Sequence, residues 1–122
     1  MKTAFVASAS SQEGIHWAGV LQGAGYRTMQ EPMAGGVINR LVEENANLLV
    51  IVETSPMMGP RSSDLIREVR GESSLENLKI VLVAIEKEAS QFPDVGSTGA
   101  DVELTKPVSD EALLEKVKEL LG

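Results

Sequence analysis

With 122 residues, no cysteine and a formal net charge of −7, the chain is long enough to bury one core and too short for two. The lack of cysteine excludes disulfide frameworks and thiolate metal sites and fits the reducing cytoplasm, and no apolar run approaches the roughly 20 residues that span a bilayer. The negative charge disfavours nucleic acid and anionic membranes as partners, so one soluble domain over residues 1–122 is expected.

Lys2 to Ala7 (KTAFVA) is a short apolar run bounded by small polar residues and predicts a buried first strand. Ser10 or Ser11 is placed to cap a helix from about Gln12, with Ile15, Ala18 and either Val20 or Leu21 facing the core, ending near Gly23 or Gly25. Tyr26 to Gln30 is half-polar, as suits an edge strand, and Val37, Ile38, Leu41 and Val42 give the next helix an apolar stripe. Leu48 to Val52 (LLVIV) is continuously apolar, which suits a strand covered on both faces of a parallel sheet. It stops abruptly at Glu53, Thr54 and Ser55, where an open α/β sheet places its ligands.

After a Pro-Arg-Ser-Ser lead, Leu65, Ile66 and Val69 recur at helical spacing up to Gly71. Leu78 to Ile85 (LKIVLVAI) is the most apolar run and predicts a strand deep in the sheet. Glu86 to Gly99 carries Pro93 and Gly96 with few spaced apolar residues, so a helix here is expected to be short or broken. Asp101 to Thr105 forms a last strand, and Ser109 caps a final helix with Leu113, Val117 and Leu120 on its apolar face. Five alternations of strand and helix predict a doubly wound, five-stranded parallel sheet.

The segment GADVELTKPVSDEALLEKVKELL resembles the end of a response-regulator receiver domain: Gly99, Ala100 and Asp101, the step Leu104-Thr105-Lys106-Pro107, and an acid-capped helix. Leu21, Gly25, Tyr26 and the run Asn47 to Pro56 are similar to earlier segments of that family, so the resemblance spans essentially the whole chain. It implies the strand order 2-1-3-4-5, a conserved lysine at Lys106 and a cis peptide before Pro107. Receivers accept phosphoryl on an aspartate ending the third strand, helped by Mg²⁺ near an acidic pair ending the first. Here that pair falls on Ala7 and Ser8, and the acceptor falls on Val52 or, with a one-residue slip, on Glu53. The family's hydroxyl residue at the end of the fourth strand falls on Ala84, and its aromatic switch residue falls on Glu103.

Mg²⁺ takes hard oxygen ligands, and phosphoryl transfer needs both an attacking carboxylate and the metal's charge. The resemblance therefore implies a degenerate, non-phosphorylatable receiver with no cofactor and no enzymatic activity. Its partner would be a signalling protein or histidine kinase-like protein in a two-component-type pathway, with the chain a monomer or weak homodimer. A constitutive partner surface is expected over Phe92, Val95, Glu103 and Pro107.

Each candidate also has a plainer reading. Lys106 at the sheet edge is expected to pair with Glu53 and simply neutralise the former site; the sharper alternative is that Glu53 mimics a phosphorylated aspartate and locks an active-like state. Ser8, Ser10, Thr54 and Ser55 are expected to serve turns and caps. His16, the only histidine, has no acid within local reach and reads as a surface residue, and Trp17 is expected to pack partly against a neighbouring helix. The alternative function is a flavodoxin-like protein binding a small anion or nucleotide through Ser8 to Gly14 and Lys106, although the chain lacks a Gly-rich phosphate signature.

Overall fold

The computed structural model describes residues 2–8, 10–31, 36–53, 59–85 and 99–121. Five strands and four α-helices occur among them: β1 Thr3–Ser8, α1 Ser11–Gly23, β2 Arg27–Glu31, α2 Val37–Glu43, β3 Leu48–Val52, α3 Gly59–Gly71, β4 Lys79–Ala84, β5 Val102–Thr105 and α4 Asp110–Leu121. A short 3₁₀ turn, Ser73–Leu75, lies between α3 and β4. The strands form one parallel sheet in the order β2-β1-β3-β4-β5. No helix among the described residues is long and apolar enough to cross a membrane.

The apolar runs account for the layering. Every residue of β3 is fully buried, and β1 and β4 are nearly so, because helices cover the sheet on both faces. Strand alternation divides the core in two. Ala4, Val6, Leu48, Val50, Val52, Val81 and Val83 meet Trp17, Ala18 and Leu21 of α1 and Leu113 and Val117 of α4. Phe5, Ala7, Leu49, Ile51, Ile80 and Leu82 meet Val37 and Leu41 of α2 and Ile66 and Val69 of α3. A fully buried Leu, Ile or Phe contributes about 1.5–3 kcal/mol, so these two clusters drive folding.

The register at the central strands sets the carboxyl edge. Ser8 pairs with Val52 and Val52 with Val83, while Ala84 pairs with Thr105. At the opposite edge, Asn47 extends the β1–β3 ladder: its N–H donates to the Thr3 carbonyl at 2.8 Å and its Oδ1 accepts from the Thr3 N–H at 2.8 Å.

Four expectations need correction. Ile15 does not face the core and is 62% exposed. The buried stripe of α1 runs through Gly14, Trp17, Ala18 and Leu21, at i, i+3, i+4 and i+7, and Ile15 lies one residue, about 100°, off it. Trp17, expected to be partly packed, is therefore a core residue. In the seven-residue helix α2, Val37 and Leu41 are buried while Val42 is exposed, for the same reason. The Pro-Arg-Ser-Ser lead lies inside α3, which begins at Gly59, since the first N–H groups of a helix have no acceptor within it and proline's missing N–H costs nothing there. The short or broken helix expected within Glu86 to Gly99 falls on positions that, up to Thr98, lie outside the described residues.

Candidate functional site

The carboxyl edge of the sheet brings together most of the positions singled out above. Ala7 and Ser8 end β1, Val52 ends β3 with Glu53 directly after it, Ala84 ends β4, and Lys106 follows β5. Ala7, Val52 and Ala84 are buried methyl-bearing groups. Thr54, and with it Phe92 and Val95 of the expected partner surface, lies outside the described residues. Glu103 is half-buried in β5 opposite Leu82, and Pro107 is exposed beyond it. The Lys106–Pro107 peptide is cis.

Local chemistry explains the hydroxyls. Ser8 Oγ accepts from the Ser10 N–H at 3.1 Å, closing the turn out of β1, and Ser10 Oγ caps α1 by accepting from the Glu13 N–H at 3.4 Å. That turn places Glu13 in the first turn of α1, where a carboxylate is favoured by the helix dipole.

Glu53 is fully buried. Its N–H donates to the Val83 carbonyl at 2.9 Å, extending the β3–β4 ladder by one residue, and its Oε1 accepts from the Ile85 N–H at 3.2 Å. Its carboxylate is thus folded against the end of β4.

Lys106 departs from the expected pairing. Its N–H donates to the Ala84 carbonyl at 2.8 Å, and its Nζ forms an ion pair with Glu13 Oε1 at 2.5 Å rather than with Glu53. The physical reason is placement: α1 packs on the same face as α4, so the first turn of α1 and the segment after β5 meet above the sheet. Glu13, Trp17, Ile85, Lys106, Pro107 and Val108 line a cleft of about 460 Å³ there. Both members of the pair are only partly exposed, so it is screened less than a surface pair.

Sequence reasoning missed other long-range partners. His16 Nε2 lies 2.9 Å from Asp110 Oδ1 in the first turn of α4, and the imidazole meets Trp17 edge-on with centroids 4.7 Å apart. Both members of that pair are about half exposed. Arg70, at the end of α3, donates to the carbonyls of Gly99 (3.1 Å) and Leu78 (2.9 Å) and to Asp101 Oδ2 (2.7 Å), which also accepts from the Ile80 N–H at 2.7 Å. Gly99 has φ +93°, and a Cβ there would stand 3.3 Å from Ile66 Cγ2. The Gly-Ala-Asp signature is therefore an arginine clamp at the amino edge of the sheet, with no part at the carboxyl edge. The only available hint was an acid and a glycine at a strand start, with nothing to mark Arg70 as their partner.

The resemblance to receivers implies Mg²⁺ at the carboxyl edge, and the side chains of the described residues there do not fit it. Ala7 supplies no donor, Ser8 Oγ is already engaged by a backbone N–H, and Glu53 is turned to the Ile85 N–H. Among the described residues no group of three or more His, Asp or Glu is placed to hold a metal ion.

No family model matches the chain, and no curated protein does either. Solved structures do. The signal receiver domain of a signal transduction histidine kinase from Syntrophus aciditrophicus superimposes with a TM-score of 0.84 at 24% identity, covering 99% of this chain and 90% of that one. A response regulator from Thermotoga maritima gives 0.81 at 20% identity over 99% and 98% of the two chains. This chain has the receiver fold. The chemotaxis protein CheY4 of Vibrio cholerae, at a TM-score of 0.78 and 20% identity over 98% of both chains, has the same architecture. The receiver strand order and the cis peptide before Pro107 agree with the resemblance carried by Gly99 to Pro107.

Proposed function

We propose that this chain is a non-enzymatic signalling module of the receiver type, working through a protein partner in a two-component-type pathway without taking up phosphoryl. The observation that carries this reading is the state of Lys106. The cation that would meet an incoming phosphoryl group is engaged by Glu13, a carboxylate supplied from α1. The acceptor candidates add support: Val52 has no nucleophile, and Glu53 is fully buried with its carboxylate bonded to a backbone N–H. An anionic substrate would have to displace Glu13 and arrive without a metal to offset its charge.

The test is incubation of the full chain with acetyl phosphate or beryllofluoride and Mg²⁺, read by intact mass and by the fluorescence of Trp17, which lines the Lys106 cleft. The expected outcome is no adduct and no saturable fluorescence change. A stable phosphoryl adduct on Glu53 would overturn the reading. The Lys106 cleft also favours a second reading, binding of a small anion or nucleotide; a saturable thermal shift with one of these, and no protein captured by the chain, would select it.

A further inference from the structure

The strand order leaves β2 with a neighbour on one side only, β1. The Arg27 N–H donates to the Lys2 carbonyl at 3.0 Å, so by strand alternation the main-chain groups of Arg27, Met29 and Glu31 turn to β1 and those of Thr28 and Gln30 turn away from it. These outward N–H and C=O groups have no hydrogen-bond partner among the described residues. A free edge of this kind is a template for another strand.

Side chains decide which strand fits. Met29 packs on the side of the sheet that carries α2 and α3, and Arg27 and Glu31 share its face. Arg27 is paired there with Glu44 at 3.0 Å and Glu31 with Arg40 at 2.9 Å. Laid antiparallel on a second copy of itself about Met29, β2 opposes Thr28 to the partner's Gln30, so that each exchanges both of its outward groups with the other, and it opposes Arg27 to the partner's Glu31. Charges then alternate along one row: Glu44, Arg27, the partner's Glu31 and the partner's Arg40. A slip of the register in either direction sets Met29 against a charge and loses this match. We propose that β2 is a self-association surface, at which two copies of the chain join antiparallel about a twofold axis at Met29 into one continuous sheet. Five residues a side fall well short of the roughly 20–30 a side of a stable interface, so the association is weak and reversible. It stands whether or not the chain takes up phosphoryl.

The experiment is a concentration series of the full ¹⁵N-labelled chain, read by sedimentation and by amide shifts and exchange. The average mass should rise with concentration, the shifts should centre on Thr28, Met29 and Gln30, and exchange of the Thr28 and Gln30 amides should slow several-fold. A mass that stays monomeric up to about 1 mM, or shifts centred on β5 and α4, overturns the proposal without needing any variant to fold. Thr28→Pro removes an outward donor and none from the β1–β2 ladder, so it should abolish association; association that survives it overturns the proposal. Arg27→Glu and Glu31→Arg should each fail to self-associate, because each sets like charges opposite one another, and an equimolar mixture of the two should associate. Two folded variants that stay apart when mixed overturn the proposal. A chain that stays monomeric yet shows the same shifts with an extended (Thr-Val)₃ peptide also overturns it, in favour of a strand from another protein.

Discussion

Gly99 shows how much one residue can carry. Its φ of +93° is open to glycine and strained for any other residue, its carbonyl accepts from Arg70, and the space beside it is closed by Ile66. Gly99→Ala is therefore expected to destabilise the fold by about 1–3 kcal/mol, measured by chemical denaturation. Arg70→Ala removes three donors from two carbonyls and Asp101, and because the guanidinium is partly exposed the expected cost is about 1–2 kcal/mol. The two substitutions share a contact, so the double variant should lose less than their sum; full additivity would show that the clamp is not a unit. Arg40 belongs to a different class: its hydrogen bond to Glu31 at 2.9 Å is the main cause of a raised pKa. A raised basic pKa contributes stability below the unfolded value and loses it only as pH rises through the folded one, here in strongly alkaline solution. Arg40→Gln should accordingly shift stability by the same amount at every pH from neutral to mildly alkaline, and a shift that grows with pH in that window would contradict this account.

At the scale of elements, the last helix illustrates the division between local and tertiary control. Ser109 Oγ accepts from the Ala112 N–H at 3.1 Å, Asp110 and Glu111 complement the positive end of the dipole, and Leu113 and Val117 anchor the buried face. Ser109→Ala should cost about 1 kcal/mol and Ser109→Asp close to nothing, as read from thermal midpoints. A larger loss for aspartate than for alanine would mean that the carboxylates already in that turn dominate the cap. The helix α1 was harder to read because Ile15, Trp17, Ala18, Val20 and Leu21 supply apolar residues on more than one face. Contact with the sheet selects the stripe through Trp17, Ala18 and Leu21 and leaves Ile15 in solvent. Ile15→Gln is expected to change stability by less than about 0.5 kcal/mol, whereas Leu21→Ala should cost about 2–5 kcal/mol.

At the scale of the whole molecule, the parallel sheet gathers the carboxyl ends of β1, β3, β4 and β5 at one edge, and α1 and α4 on a shared face bring Glu13 to Lys106 and Asp110 to His16. Each pair joins residues more than 90 positions apart. Glu13→Gln should lower stability only modestly, since a partly exposed ion pair is worth about 1 kcal/mol or less, but it should make Lys106 more available to anions; unchanged phosphate affinity, read by ³¹P line shifts, would contradict the occlusion of Lys106. The sequence by itself determined the fold class, the number of strands, the buried runs LLVIV and KIVLVA, and the cap at Ser109, and it narrowed the cap of α1 to Ser10 or Ser11. Hydrophobic period, chain punctuation and capping chemistry are local properties, written within a few residues of where they act. Tertiary structure alone decided that Lys106 pairs with Glu13 instead of Glu53, that His16 has an acid partner, that Trp17 is buried, and that Arg70 binds Gly99 and Asp101. An ion pair is chosen by distance in space, and the sheet register and helix packing that set those distances depend on every element at once.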